Sequence, residues 1–399
     1  MTAPARTTAG SDTAPVVAPL TVLISCALLV LMQFYVAIPL VPVLAEAFGR
    51  GQPAAAAALG TTYGLAYALG FLIFGPLSDR YGRKQILVPG MAVLAIATAG
   101  LAVAPSLPIV AVLRFVQGLV AASFAAAGLA YIGEALPRRW RATGIGAIST
   151  AFLSAGILGQ VYAQGVALRI GWRWVFGLAA PAFAIAAIAI AVVLLDIRHG
   201  QPESLGHRYR ELGRLAIRRD LALPNAASFW VLLSFVAMYA ALAPILRGQF
   251  GLDDTSVLLV RLAGLPAILL APLAGWLVGR HGATKVAVVG YLLAALGLAA
   301  EAISVGALWA LVLASVVFVL GVAVIVPAVI GLIGGRGGSS RAGALALNGL
   351  VVFAGASLGP LVAQLPIGFS SLMLMLAAVL VVGSVLVAIS SRATADVTV

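Results

Sequence analysis

The chain has a single cysteine, Cys26, in 399 residues, so no disulfide can form within it. It has three histidines, His199, His207 and His281, all in connections between apolar runs. There is no His-Glu-x-x-His pattern, no paired intramembrane aspartate and no nucleophile beside a base. Charge is scarce as well: 9% of the residues are charged, against about 25% in an ordinary soluble domain. Acid is the scarcest, with 12 Asp and Glu against 24 Lys and Arg. These shortages exclude a soluble enzyme, and neither a metal site nor a cofactor is expected. In their place stand 63% hydrophobic residues and a mean hydropathy of +1.13. One soluble core cannot enclose so much apolar material.

The apolar residues gather into about twelve runs, near 18–44, 53–77, 85–105, 107–135, 142–167, 172–196, 225–249, 254–278, 285–304, 306–333, 341–366 and 369–390. A membrane helix needs about 20 such residues. The fold class predicted is an all-α polytopic membrane protein. Residues 1–16 are polar, carry only Arg6, and read as a disordered tail. They run into a span too long for a signal-peptide core, so no cleavage is expected. The one sizeable polar stretch, 197–224, separates six spans (17–196) from six (225–391), and 392–399 forms a tail. From Tyr209 to Leu221 the linker shows helical spacing and a basic face. It is either a helix lying on the membrane surface or a solvated linker.

A net charge of +12 raises the question of nucleic acid, but the positions answer it. Arg80, Arg83, Lys84, Arg138, Arg139, Arg141, Arg198, Arg208, Arg210, Arg214, Arg218, Arg219, Arg280, Lys285, Arg336, Arg341 and Arg392 fall in connections on one side. Only Arg50, Arg169, Arg173 and Arg247 fall in those on the other. Cytoplasmic loops are rich in Lys and Arg. Both termini are therefore expected in the cytoplasm, with anionic lipid contact as a by-product and no role for nucleic acid.

The two halves align at an offset of 200. "GPLSDRYGRK" faces "GWLVGRHGAT", with Gly75, Leu77, Arg80 and Gly82 matching Gly275, Leu277, Arg280 and Gly282. Val88 and Gly90 match Val288 and Gly290, Arg141 and Ala142 match Arg341 and Ala342, and Gly159 matches Gly359. The reading is a duplicated six-helix unit with its halves in parallel. In the first loop Gly75 is expected to let helices approach, and Gly82 to supply the φ > 0 of a sharp turn. Asp79 can accept hydrogen bonds at a helix N-terminus or pair with an Arg, while Arg80, Arg83 and Lys84 suit carboxylates or lipid phosphates. Charges are pushed to such turns because Lys or Asp at the bilayer centre costs about 2.5–3.5 kcal/mol. A merely topogenic loop is the alternative, though it needs no Asp and no fixed glycines.

This loop resembles the signature of the major facilitator superfamily, Gly-x-Leu-x-Asp-Arg-x-Gly-Arg-Lys. "LRFVQG" is similar to a second signature, through Arg114, Gln117 and Gly118. "YIGEALPRRWRATG", with Glu134, Pro137 and Arg141, and "GWRWVF" at 171–176 are similar to two further segments. The resemblance covers nearly the whole chain and is nearest to the twelve-span bacterial drug:proton antiporters. It implies the major facilitator fold, two six-helix bundles in the inner membrane of a bacterium, working as a monomer. It implies too that Asp79 caps the helix dipole of span 11 and that Arg83 pairs with Glu134, a conformational latch shared by Gly75, Arg80 and Gly82. A charge at a helix N-terminus is worth about 0.3–2 kcal/mol, a suitable size for biasing two states. Gly279 stands where the second half would carry the Asp, so the latch is one-sided.

Arg114 lies about seven residues into span 4, roughly 10 Å deep at ~1.5 Å per residue. Arg261 lies at similar depth in span 8, after Asp253 and Asp254, and could snorkel toward them. Buried guanidinium cannot shed its proton and must find an acceptor. By the resemblance, Arg114 is the cavity Arg of proton coupling, with Gln117 behind it. No acid falls at mid-depth in spans 1 to 8: Glu46 and Glu134 lie at span ends, and Glu301 near the end of span 9. A neutral-to-positive cavity favours neutral or weakly anionic amphiphiles over organic cations. Glu301 is the remaining candidate for proton exchange; otherwise it is an interfacial acid. Gln33, Phe34, Tyr35, Met238, Tyr239 and Asn348 are substrate-cavity candidates, since aromatic and Met side chains suit adaptable apolar recognition; plain helix packing is the alternative for each. Span 5 carries Gly144, Gly146, Gly156 and Gly159, but Gln160 stands where antiporters tend to have Pro, and the Gly-Pro pair appears as Gly359–Pro360.

The function expected is proton-coupled export of small neutral or weakly anionic amphiphiles by alternating access. The second hypothesis is uptake or exchange of an anionic metabolite held by Arg114 and Arg261. The third, an embedded enzyme or channel, has no residues to support it.

Overall fold

The computed structural model describes residues 16–196 and 205–395. Of the segments set apart by the sequence, 1–15, 197–204 and 396–399 lie outside the described residues. The helices are α1 (Val17–Tyr35), α2 (Ala37–Ala47), α3 (Gln52–Ala56), α4 (Thr62–Tyr81), α5 (Arg83–Ala102), α6 (Leu107–Ala135), α7 (Arg138–Ile170), α8 (Trp172–Val193) and α9 (Leu205–Ile217). They continue as α10 (Arg219–Gly248), α11 (Asp254–Leu262), α12 (Leu265–Leu269), α13 (Ala271–His281), α14 (Ala283–Ile303), α15 (Leu308–Arg336), α16 (Arg341–Val362) and α17 (Phe369–Ala395). Among the described residues twelve helical units are long and apolar enough to cross a membrane. In order, as spans 1 to 12, they are α1, α3–α4, α5, α6, α7, α8, α10, α11–α13, α14, α15, α16 and α17.

Helices are what hydrocarbon permits, because every backbone N–H and C=O must bond within its own segment. Ile96, Val192 and Trp309 are 72%, 77% and 83% exposed. On a soluble surface these would be faults; at the rim of a membrane bundle they face lipid.

Prolines set the breaks. Span 1 stops at Tyr35 and resumes at Ala37 as α2. The ring of Pro39 conflicts with the carbonyl four residues back, that of Tyr35, and brings no N–H to bond it. The break thus falls one turn before Pro39. In span 8 the same conflict between Pro266 and Leu262 ends α11. That helix begins with Asp253 as its cap, its Oδ1 accepting from Ser256 N at 3.0 Å. Hydrogen bonding from Ser256 holds the Asp253 carboxyl below its usual range.

The aligned turns are built alike. Gly82 joins α4 to α5 at φ +103°, and Gly282 joins α13 to α14 at φ +86°, a region closed to most side chains. Packing repeats as well. In the first half α1 packs on α7, α4 on α6, and α5 on both α6 and α8; in the second α10 packs on α16, α12 and α13 on α15, and α14 on both α15 and α17. Between the halves, α4 meets α16 and α7 meets α11, α12 and α13. The close approach expected at Gly75 is not seen: among the described residues nothing lies within 4 Å of where its Cβ would stand. It falls earlier on the same helix, at Gly70, where a Cβ would be 2.5 Å from both Ala122 Cβ and Leu119 O.

In the linker, the helix runs from Leu205 to Ile217 rather than from Tyr209 to Leu221, and the membrane helix already begins at Arg219 rather than near 225. The apolar face of α9 docks on protein: Leu212 and Leu215 are buried over Gly343 of α16.

Candidate functional site

Spans 2, 4, 8 and 10 finish, and spans 3, 5, 9 and 11 start, at the end of the molecule that carries the two glycine turns, here the basic end. Arg83 opens α5 there. Its Nε donates to Glu134 Oε2 at 3.1 Å, its Nη2 to Glu134 Oε1 at 2.7 Å and its Nη1 to Ser78 Oγ at 2.7 Å. The side chains of Arg83 and Glu134 are 12% and 24% exposed. A fork-to-fork pair of this kind fixes direction as well as distance. It ties the end of α4, the start of α5 and the end of α6, all in one half, and so shapes the loop rather than crossing to the other half. Lys84 Nζ donates to Leu194 O at 2.7 Å and Gln85 Nε2 to Asp196 Oδ1 at 2.5 Å. Arg80 takes no part: it is exposed, its guanidinium 5.5 Å from the Tyr81 ring centroid. The side chain of Asp79, like that of Arg141, lies outside the described residues. Contact across the halves at this end comes from α9, whose Tyr209 Oη donates to Leu72 O at 3.2 Å while Glu211 accepts from Ser340.

Arg114 is fully buried. Residues Ala57–Thr61 form a π turn at the start of span 2, in which both the N–H and the hydroxyl of Thr62 reach Ala57 O. This wide turn presents the Leu59 carbonyl, which accepts from Arg114 Nε at 2.8 Å. Arg114 Nη1 donates to Gln117 Oε1 at 2.6 Å, and the guanidinium stands 4.1 Å from the Tyr63 ring centroid. Gln117 Nε2 donates to Thr98 Oγ1 at 2.7 Å and more weakly to Gln33 Oε1 at 3.4 Å. Arg114 Nη2 has no partner. The sequence pointed to Gln117; it could not show the Leu59 carbonyl, Tyr63 or Thr98. The charge is met by neutral acceptors and a ring face, with no carboxylate among them.

A layer of rings crosses the centre. Phe34 lies 5.1 Å from Tyr35, 5.8 Å from Tyr63 and 5.6 Å from Phe353. Phe353 also meets Tyr67 at 4.4 Å and Phe71 at 5.9 Å. Tyr35 continues the layer to Phe235 at 5.8 Å, and Phe235 to Tyr239 at 5.0 Å. Met238 is buried beside it. Phe353, which the sequence reading missed, joins span 11 to spans 1 and 2. Replacing Phe353 by Ala is expected to open this layer. A cysteine placed by Asn348→Cys in a Cys26→Ser background, on the basic side of the rings, should then react at least about tenfold faster with an impermeant thiol reagent added at the opposite end, equivalent to ~1.4 kcal/mol. An unchanged rate would show that the barrier lies elsewhere.

One turn past the rings, at the end away from the basic loops, is a cavity of about 410 Å³. Its walls come from α2 (Ile38, Pro39), α10 (Ala240, Pro244), the ends of spans 11 and 12, and Arg261 of α11. No acid lines it. Arg261 is 2% exposed and its Nη1 has no partner. The snorkelling expected toward Asp253 or Asp254 does not occur: Asp253 is occupied as a cap, and Asp254 accepts from Arg247 Nε at 2.8 Å. Glu301 is wholly enclosed, and neither carboxylate oxygen has a hydrogen-bond partner. Tyr239 is within Coulombic reach of both Glu301 and Arg261. Asn348 is far from the cavity walls; its Nδ2 donates to Asn225 Oδ1 at 3.0 Å. Of the sequence candidates, only Arg261 lines the cavity, while Gln33, Phe34, Tyr35, Met238 and Tyr239 lie beneath it.

The chain is 26% identical over 65% of its length to the inner membrane transport protein YnfM of Escherichia coli. It is 29% identical over 50% of its length to the efflux pump radE of Floropilus chiversii, and 34% identical over 25% of its length to the multidrug transporter AQR1 of Candida glabrata. The matched stretches span 63%, 37% and 17% of those relatives. The family model described as Major Facilitator Superfamily matches residues 23–263. Matched over more than half of its 399 residues, and carrying twelve membrane-length helices among those described, the chain belongs to the Major Facilitator Superfamily.

Proposed function

We propose that the protein is a secondary active transporter that exports small neutral or weakly anionic amphiphiles in exchange for protons, by alternating access. Residues 17–196 and 225–391 act as the two rocking bundles, and the protein works as a monomer in the inner membrane of a bacterium, its basic loops and both termini in the cytoplasm. One observation carries this reading: a layer of rings joins the halves at the centre while a cavity with a mostly apolar wall stands between them at the end away from the basic loops. That is the arrangement expected of one of the two states alternation requires. The volume suits a small ligand, and an efflux pump and a multidrug transporter among the relatives point the same way.

The second reading, exchange of an anionic metabolite, is favoured by Arg261 on the cavity wall. Arg114 does not join it there: it is enclosed within the first half by Leu59, Tyr63 and Gln117. The test is purified protein in vesicles loaded with neutral, anionic or cationic dyes of matched size. An imposed pH gradient is expected to drive out the neutral and anionic dyes at rates at least about tenfold above the cationic one, the ratio equivalent to ~1.4 kcal/mol of discrimination. Dye movement that ignores the pH gradient would sink proton coupling, and preference for the cationic dye would sink the substrate class.

A further inference from the structure

Arg261, like Glu301, is a buried charged group with orphaned polar atoms among the described residues. It is 2% exposed, and among the described residues its guanidinium makes no hydrogen bond and no ion pair. Asp254 is spent on Arg247 and Asp253 on the α11 N-terminus, and the enclosed Glu301, which shares Tyr239 as a neighbour with Arg261, makes no bond to it. Buried polar groups are nearly always bonded, and a charge left without a partner is a standing cost unless something else supplies one. A guanidinium cannot relieve that cost by losing its proton. It needs an anion.

The surroundings say which kind. The cavity that Arg261 lines is about 410 Å³, apolar over most of its wall, and free of Asp and Glu. Its other polar side chains are Arg247, already paired, and Gln52 and Gln364, which face each other at 3.4 Å. Tyr239, one turn below, is within Coulombic reach of Arg261 and offers a hydroxyl. A multiply charged anion would find one unengaged cation and a greasy wall; a cation would find no counter-charge at all.

Taking the transporter reading as its basis, we propose that Arg261 holds the acid group of a small organic monoanion, a carboxylate on an apolar body, and that Arg114 takes no part in recognising it. A guanidinium fork matches a carboxylate two bonds at a time, while the proline and alanine wall of α2 and α10 takes the apolar body. The geometry separates two arginines that the metabolite-exchange hypothesis treated as a pair. The inside-negative membrane potential drives an anion outward, which agrees with export.

The test uses the full-length purified protein and three probes of one shape: 4-phenylbutyrate, 4-phenylbutyramide and 4-phenylbutylamine. Binding is read as protection of a cysteine introduced by Ala243→Cys, in a Cys26→Ser background, against a thiol reagent. The acid should protect at least about tenfold better than the amide, and the amine not at all. Arg261→Gln should abolish the preference for the acid, and Arg261→Lys should retain part of it. Arg114→Lys should leave the preference in place. Equal protection by acid and amide in the Ala243→Cys protein with Arg261 intact would overturn the proposal even if the Arg261 variants do not fold. So would undiminished acid preference in folded Arg261→Gln. Flux is measured separately in vesicles: selective binding without flux retains the anion site and removes the transporter reading, whereas flux without acid preference does the reverse.

Discussion

Arg114→Ala is expected to abolish proton-driven transport, with a loss on the order of 100-fold, the rate equivalent of ~2.7 kcal/mol. The side chain donates to the Leu59 carbonyl of the π turn and to Gln117 Oε1. Its removal leaves both acceptors in a dry interior, where each unmet group costs about 1–3 kcal/mol. It also removes the charge over Tyr63, which stacks 6.0 Å from Tyr67 in the ring layer. Loss of transport alone does not separate mechanism from packing, so Arg114→Lys is the companion. Lysine keeps the charge but not the fork that reaches Leu59 O and Gln117 together. If the role is coupling geometry, Arg114→Lys should insert, melt close to the parent and still fail to pump against a gradient. Full proton-driven activity of Arg114→Ala in vesicles would remove the residue from the mechanism.

The second large effect is expected at Glu134. Glu134→Gln removes the charge that receives two bonds from Arg83, leaving a guanidinium that is 12% exposed. Breaking one partner of an enclosed ion pair costs more than the intact pair contributes, but this pair is only partly enclosed, and screening by water lowers the figure to about 1–2 kcal/mol. The ends of α4, α5 and α6 should loosen together, because Arg83 also holds Ser78. The expected readout is a roughly tenfold faster reaction of the Asn348→Cys probe with reagent supplied at the basic end, since ~1.4 kcal/mol shifts a two-state population tenfold. Arg83→Lys should give a smaller change in the same direction. If neither substitution alters the labelling rate, the loop is a topological signal and the latch is not built on this pair.

The spans could be read from composition because a membrane core tests each segment separately: about 20 apolar residues either satisfy it or do not. The turn at Gly82 and its copy at Gly282 were equally open to reading, since a sharp turn makes a local demand that glycine meets. Arg83 and Glu134 lie 51 residues apart and are bonded in the fold, because a charge confined to one end of the bundle has few places to go. Legibility failed where the answer depended on helix rotation. Gly75 and Gly70 are both small residues on one helix, but among the described residues only Gly70 faces a neighbour closely. Asn348 looked like a cavity residue until Asn225 was found opposite it.

The sequence by itself determined the material: twelve helices, a repeated half, a basic end and an interior nearly free of acid. Only the tertiary structure decided which of two buried arginines stands at an empty space. Arg114 and Arg261 sit at similar depths in their spans, and neither the signature around the one nor the acids before the other says which stands at a cavity. What separates them is the carbonyl of Leu59, the face of Tyr63 and the side chain of Gln117 around one, and an open cavity beside the other. Hydropathy acts along the chain and can be read from it. Whether a charge is answered depends on groups brought from distant parts of the chain, and that is settled by packing.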